Sequence, residues 1–161
     1  MKKYLSIFGI MLMTLFSMTS CLENGLEDLD AFDAADIENW PVAYYRYYTG
    51  DQMAINGEQQ VKQVQLTRTA GTYDFDEENK TGQPFFNITV APNNVPEAEK
   101  AKVDAKNLVV VLTISTGAVV EPVEGAPKLG VPGDWSHPNK YKITAANGDS
   151  RIWTVTVNLQ K

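Results

Sequence analysis

Hydrophobic and polar residues alternate with a period of two along most of the chain after residue 40. Glycine, proline and asparagine separate the alternating segments, which is typical of β-strands joined by turns. Residues 108–114 are apolar on both faces up to Thr113, as expected of a central strand covered twice. The pattern predicts an all-β fold, a single immunoglobulin-like β-sandwich of about seven strands. The alternating segments are residues 40–48, 63–67, 86–90, 141–145 and 153–159.

One segment has helical features instead. Pro96 suits the first turn of a helix, and the acidic residues that follow it precede the basic ones, in agreement with the helix dipole. The segment lacks a broad apolar stripe. We therefore expect at most a short surface helix near residues 96–103.

Whether the loop of the last hairpin has an odd or an even number of residues determines which side chains share a face. A two-residue turn on Asn147 and Gly148 would place Tyr141 and Trp153 on opposite faces. A loop with an odd number of residues places both aromatic side chains on one face. We predict an odd-length loop with Gly148 at positive φ.

Residues 121–138 are rich in proline and glycine and interrupt the strand pattern. A connection of this length is long inside a compact domain, and long loops often carry function. The segment also contains apolar residues, among them Trp135. We therefore expect it to pack against the sandwich.

The N-terminus has the pattern of an export signal. Lys2 and Lys3 precede an apolar run over residues 5–16, which is shorter than the roughly 20 residues needed to cross a bilayer. The residues that follow, Met18-Thr19-Ser20-Cys21, resemble the lipobox of bacterial lipoproteins, with Met18 where leucine is usual. The resemblance implies a lipoprotein signal peptide over residues 1–20 and a lipid anchor on Cys21.

Acidic residues dominate the stretch after Cys21. Because like charges repel, we expect a disordered tether over residues 21–36 and a folded domain over residues 37–161. The stretch also resembles the acidic signal that directs Bacteroidota lipoproteins to the cell surface. This implies an outer-membrane protein that is lipid-anchored and faces the cell exterior. The acidic residues are Glu23, Glu27, Asp28 and Asp30.

Charge and cysteine content exclude several classes of protein. The net charge of the chain is −6, and removal of residues 1–20 takes it to −8 because Lys2 and Lys3 are lost with no acidic residue. Nucleic-acid binding is not expected, since it depends on neutralising phosphates with basic residues. Cys21 is the only cysteine, so the chain cannot form an intramolecular disulfide.

The only histidine, His137, follows Asp134 and Ser136 in a short polar turn. Catalytic triads are assembled in space rather than within one turn, so a polar turn is favoured over a nucleophilic site. With one histidine and one cysteine we expect no zinc site. Nor does the chain show a convincing nucleophile or acid–base pair, and we expect no cofactor and no enzymatic activity.

Carboxylates crowd the segment around residue 76. Asp74, Asp76 and Glu78 are weak candidates for Ca²⁺ ligands, since calcium is bound by clustered oxygen ligands. The spacing lacks the glycine and the distant glutamate of an EF-hand loop. A solvated hairpin tip is therefore favoured. A pair of carboxylates for glycoside hydrolysis would also need a sugar cleft, which a small sandwich is not expected to form.

The segment 40–48 carries aromatic rings on both faces. Trp40, Tyr44 and Tyr48 lie on one face, and Tyr45 and Tyr47 on the other. One row must enter the core, and exposed rings with polar tips suit stacking on sugars or anchoring a protein partner. Our candidate ligand-binding residues are Tyr45, Tyr47 and Trp135. The alternative is that the proline- and glycine-rich loop covers these rings.

Three segments near the C-terminal end match a known sequence pattern: residues 112–118 (LTISTGA), 141–148 (YKITAANG) and 153–157 (WTVTV). They are similar to the ends of immunoglobulin-like domains in Bacteroidota surface lipoproteins, although residues 37–95 fit only by strand pattern. The matching residues are core and turn residues, so no ligand residue is carried over. Many of these relatives are accessory or glycan-binding modules of polysaccharide-uptake systems. The resemblance implies a non-catalytic surface module that binds a glycan or other ligand; the alternative is a structural lipoprotein that docks on a larger outer-membrane complex.

Overall fold

The computed structural model describes residues 32–53, 57–74 and 83–161. Within these residues, nine strands form a four-stranded and a five-stranded sheet with a shared core, which confirms the predicted all-β sandwich. The strands are β1 (Val42–Met53), β2 (Gln59–Gln65), β3 (Thr67–Asp74), β4 (Phe85–Ala91), β5 (Leu108–Val111), β6 (Val119–Val123), β7 (Pro132–Gly133), β8 (Asn139–Thr144) and β9 (Ser150–Leu159).

The order of the strands is β2-β1-β5-β7 in the four-stranded sheet and β3-β4-β9-β8-β6 in the five-stranded sheet. Neighbouring strands are antiparallel except β4 and β9, which are parallel. The chain changes sheets at Leu66, between β2 and β3. This residue is 2% exposed, and its N–H donates to the Ala43 carbonyl at 2.9 Å.

The core lies between the two sheets, and alternate residues of the central strands enter it. Burying each large apolar side chain contributes about 1.5–3 kcal/mol, so these rows hold the sheets together. Leu108 and Val110 of β5 enter this core, while Val109, on the opposite face, is also fully buried, as predicted for a strand covered twice. The five-stranded sheet contributes Phe86, Ile88, Val90, Tyr141, Ile143, Trp153, Val155 and Val157.

The last hairpin has the predicted parity. Tyr141 pairs with Trp153 across β8 and β9, and both are buried. The Ala145 N–H donates to the Asp149 carbonyl at 2.8 Å, which leaves three residues in the loop. Gly148 has a φ of 94°, a left-handed conformation that glycine adopts without strain.

The helical content of the described residues is small, as predicted. Helix α1 spans Glu97–Lys100, and a single 3-10 turn spans Ala105–Asn107. A salt bridge of 2.7 Å joins Lys100 to Glu97 on the surface of α1. In the described part of the chain, no helix is long and apolar enough to span a membrane.

The segment 121–138 is less irregular than expected. Its first residues complete β6, and Pro132–Gly133 forms the short strand β7. The expectation that it packs against the sandwich is confirmed, because Trp135 is fully buried. Pro122 is accommodated because β6 is an edge strand, where proline is tolerated.

Residues 32–36, predicted to belong to the disordered tether, lie against the sandwich. The Ser115 N–H donates to the Asp36 carbonyl at 3.0 Å, and the indole N–H of Trp153 donates to the Ala35 carbonyl at 3.0 Å. Ile37 forms an isolated antiparallel bridge with Ile114. The compact unit therefore begins at Phe32. Cys21, Asp76 and Glu78 lie outside the described residues.

Candidate functional site

Two of the three predicted ligand-binding aromatic residues are buried. Trp135 is 0% exposed and stacks on Tyr141 with ring centroids 5.9 Å apart. Tyr45 is 5% exposed, and its hydroxyl donates to Glu99 Oε2 at 3.3 Å. Tyr47 is half-buried and stacks on Tyr45. This corrects the expectation that these rings form a surface. Tyr45 is buried because the odd-numbered face of β1 enters the core, and Trp135, which follows β7, is buried against Tyr141.

The polar turn around His137 has no arrangement for nucleophilic catalysis. The Ser136 hydroxyl donates to Asp134 Oδ1 at 2.6 Å, and the Ser136 N–H donates to the same oxygen at 2.9 Å. These hydrogen bonds lower the pKa of Asp134 because they stabilise its ionised form. His137 Nδ1 is 3.9 Å from that oxygen and is exposed. The Ser136 hydroxyl thus bonds the carboxylate rather than the imidazole.

Asp74 is the one calcium candidate inside the described residues, where it ends β3 and is exposed. Within the described ranges, no group of three or more histidine, cysteine, aspartate or glutamate side chains is placed to hold a metal ion. Asp74 therefore has no set of described ligands around it.

Three aromatic rings stack across β3, β4 and β9 and form an aromatic column. Tyr73 and Phe86 have centroids 5.5 Å apart and an interplanar angle of 17°. Phe86 and Trp153 are also 5.5 Å apart, at 20°. Exposure falls from 56% at Tyr73 to 5% at Phe86 and 1% at Trp153. The column therefore runs from solvent into the core, and Tyr73 is its outermost ring.

Trp40 supports the column from the side. Its centroid lies 5.7 Å from that of Tyr73 and 5.4 Å from that of Phe86, at angles of 83° and 71°. These near-equal distances place Trp40 beside the stacked pair, since a ring on the outer face of Tyr73 would lie much farther from Phe86. The outer face of Tyr73 is thus left uncovered by both aromatic neighbours.

Gly71 makes room for Trp40. A Cβ atom at residue 71 would lie 2.5 Å from Cζ3 of Trp40, a distance that real side chains do not adopt. The guanidinium of Arg68 lies over the Trp40 ring, 4.3 Å from its centroid, which is a favourable cation–π geometry. Trp40 is therefore held between β3 and the core.

A groove of about 580 Å³ adjoins these rings. We call it the aromatic groove. Residues 34–40 form one wall, and the aromatic column forms the other. Glu38 and Asn39 are exposed on this wall and offer a carboxylate and an amide to the groove. The lining residues are Ala34, Asp36, Ile37, Glu38, Asn39, Trp40, Tyr73, Phe86, Ser115 and Trp153.

Asp36, which lines the aromatic groove, takes part in an ion pair. The guanidinium of Arg151 bonds the carboxylate of Asp36, and both side chains are partly buried. Burial lowers the pKa of Arg151, which remains cationic because arginine titrates far above neutral pH. Ser115 Oγ accepts a hydrogen bond from the Asp36 N–H at 3.1 Å and so fixes the backbone at this point.

Sequence reasoning missed Tyr73 as a site residue because the segment around it was interpreted as a hairpin tip. Trp40 was assigned to the face of Tyr44 and Tyr48, although it lies over the five-stranded sheet. The sequence feature that could have indicated this contact is Gly71, because a glycine inside a strand often marks the close approach of another group.

Comparisons with known proteins include a structural match over most of the chain. It is the crystal structure of a predicted secreted protein from Bacteroides fragilis NCTC 9343, with a TM-score of 0.63 and 42% sequence identity over 82% of this chain and 100% of that chain. A predicted glycoside hydrolase from Bacteroides thetaiotaomicron VPI-5482 matches with a TM-score of 0.42 and 21% identity, over 85% of this chain and 28% of that chain. The second likeness is too weak to carry an argument about function.

A search of curated proteins finds no match. The family model described as DUF5018-related matches residues 37–156, which includes the strands that build the aromatic column and most of the groove. The match covers well over half of the chain. The chain therefore belongs to the DUF5018-related family.

Proposed function

We propose that this domain is a non-catalytic, cell-surface module that binds a glycan in the aromatic groove. The observation that carries the proposal is the aromatic column, whose outermost ring, Tyr73, is 56% exposed while the two rings beneath it are buried. A sugar ring in the groove could pack against the exposed part of Tyr73. Tyrosine suits this role because it combines an apolar ring with a polar tip.

The site also meets the polar requirements of a sugar. Binding pockets for small ligands combine apolar walls with a few polar groups that fix orientation. Glu38 can accept hydrogen bonds from hydroxyl groups, and Asn39 can both donate and accept them. Because Phe86 and Trp40 already hold Tyr73, binding orders little that is not ordered before.

In this proposal the domain is anchored to the outer membrane through a lipid on Cys21 and faces the exterior. The lipobox resemblance and the acidic residues after Cys21 support this location, and the Bacteroides fragilis relative is named as a secreted protein. Intact mass of protein extracted from membranes should show the lipid on Cys21. An unmodified cysteine on the mature chain would contradict the anchor.

Binding is tested by titrating the purified mature protein with a panel of neutral polysaccharides and following tryptophan fluorescence or heat. Tyr73→Ala is expected to weaken binding at least about tenfold, since a packed aromatic contact contributes roughly 1.5 kcal/mol or more. Tyr48→Ala is the matched control because Tyr48 is at least as accessible, at 66% exposure against 56% for Tyr73, but lies outside the groove. Absence of binding across the panel, or equal losses in both variants, would refute the proposal.

The outer face of the four-stranded sheet favours a second candidate, a protein-interaction role. Tyr48 of β1 pairs with Val61 of β2, and their side chains are 66% and 50% exposed. Val111 of β5 is 40% exposed on the same face, since it pairs with Val42 of β1. If a partner docks here, Tyr48→Glu combined with Val61→Glu should release a protein that co-purifies from solubilised membranes, while Tyr73→Ala should not. A complex that survives the double substitution would count against this candidate.

A further inference from the structure

We propose that the aromatic groove is one part of a longer site, which continues past the Asp36–Arg151 ion pair into a polar pocket and takes a non-acidic oligosaccharide chain. This inference rests on the proposed glycan-binding function. It extends that function from one stacked sugar to several consecutive units and defines the charge of the chain.

The polar pocket has a volume of about 460 Å³. It lies where residues 33 and 35 approach the starts of β4 and β9. Asp33, Gln83 and Ser150 are exposed at this pocket, so a carboxylate, an amide and a hydroxyl are available to a ligand. The pocket is therefore suited to hydroxyl groups rather than to stacking. The lining residues are Asp33, Ala35, Gln83, Asp149, Ser150, Arg151 and Ile152.

The two cavities share a wall. Asp36 lines the aromatic groove, Arg151 lines the polar pocket, and their side chains form the ion pair. On β9, the consecutive residues Ile152 and Trp153 line the polar pocket and the aromatic groove, respectively. Because consecutive side chains of a strand point to opposite faces, the two cavities adjoin across the start of β9 rather than on one face of it. Each cavity alone lies within the range of roughly 300–1,000 Å³ that is typical of small-ligand sites. A ligand that spans the ion pair would therefore need to be a chain.

The charges of the described lining residues disfavour acidic sugars. Among these described residues, four carboxylates line the two cavities, against one guanidinium, that of Arg151, which already bonds Asp36. An acidic sugar would meet like charges and would lose its hydration without gaining a cation. Hydroxyl groups of a neutral sugar can instead donate to these carboxylates. The four carboxylates belong to Asp33, Asp36, Glu38 and Asp149.

Calorimetric titration of the mature protein tests the inference. The probes are mannose-, xylose- and glucose-based oligosaccharides, each from disaccharide to hexasaccharide, with oligogalacturonates as acidic counterparts. We expect affinity to rise at least about tenfold along the best neutral series, because added units reach the polar pocket. Oligogalacturonates of equal length should bind at least about tenfold more weakly.

Substitutions separate the two cavities. Asp33→Ala combined with Gln83→Ala should reduce hexasaccharide affinity to the level of the disaccharide and leave disaccharide affinity unchanged. Gln59→Ala is the control, since this exposed glutamine begins β2, away from both cavities. Tyr73→Ala should weaken binding of chains of every length.

The results distinguish this inference from the function on which it rests. Disaccharide binding that depends on Tyr73, with no gain in affinity for longer chains, would overturn the extended site and leave the proposed function intact. Tighter binding of oligogalacturonates than of neutral chains would overturn the predicted charge preference. Failure of every sugar to bind would refute the proposed function itself.

Discussion

Two exposed tyrosines, one in each sheet, differ in the residues that pack against their rings. Tyr73 of β3 is 56% exposed, and Phe86 and Trp40 contact its ring. Tyr48 of β1 is 66% exposed, and the residue opposite it on β2 is Val61, which is itself 50% exposed. Exposure alone would rank the two residues as equivalent.

The difference lies in the cost of ordering each side chain. A ligand that uses Tyr48 must immobilise a ring on an open sheet face, and each immobilised side chain costs about 0.5–1.5 kcal/mol. The ring of Tyr73 is already held by aromatic neighbours that belong to the core. An exposed aromatic residue is therefore a better binding candidate when the rings beneath it are buried.

Phe86→Ala should cause the largest loss of stability among the substitutions that test this comparison. It removes the middle ring of the column and leaves a cavity in the core, so we expect a loss of about 3–5 kcal/mol in the free energy of unfolding. Denaturant titration measures the loss. Phe85→Ala is the matched control because Phe85 is the adjacent residue and is 36% exposed. Equal losses in the free energy of unfolding for the two variants would mean that the column does not contribute to the core through Phe86.

Gly71→Ala should produce an intermediate effect. The added methyl group would overlap Trp40, and overpacking of this kind costs about 1–3 kcal/mol. Thermal or chemical unfolding should show the loss, and tryptophan fluorescence should report displacement of the indole. Thr72→Ala, an exposed neighbour on the same strand, should change neither measurement appreciably. An unchanged stability for Gly71→Ala would show that Trp40 is free to move.

The smallest difference is expected between Tyr73→Ala and Tyr48→Ala. Loss of the stacked pair with Phe86 should cost about 0.5–1.5 kcal/mol beyond the buried area, whereas a surface substitution such as Tyr48→Ala should stay within about 0.5 kcal/mol. Parallel unfolding titrations of both variants measure this difference. If Tyr48→Ala is the more destabilising variant, Tyr48 is better packed on the outer face of the four-stranded sheet than its exposure indicates.

The strands with one buried face were predictable from the sequence. β4, β8 and β9 alternate cleanly because every second side chain enters the core. The parity argument for the last hairpin succeeded for the same reason, since an incorrect register would have exposed Trp153 or Tyr141. When one face of a strand is buried, both the strand and its register can therefore be predicted from the sequence.

The strands that were not predicted all lie at sheet edges. β3 is almost entirely exposed, so no apolar alternation is needed to form it. β6 contains Pro122, and β7 is the two-residue strand Pro132–Gly133. Proline is a break signal in a central strand but is compatible with an edge. These three strands form because they hydrogen-bond to a neighbouring strand, and the local sequence pattern does not show that pairing.

The candidate site was predicted less well than the fold. Alternation along β1 separates Tyr45 from Tyr44 but does not say which row is inward. The column joins Tyr73, Phe86 and Trp153 from three strands, and it depends on the parallel pairing of β4 with β9, which are far apart in sequence. Local periodicity has no information about such a pairing.

The position of residues 32–38 has a mechanical consequence. If the chain is pulled from its N-terminal end, tension enters the domain at Phe32 and loads the hydrogen bonds that join Asp36 to Ser115 and Glu38 to Thr113. The same segment forms one wall of the aromatic groove. Rupture of these bonds would detach that wall, so a strong pull towards the N-terminus would weaken the proposed contacts with a ligand.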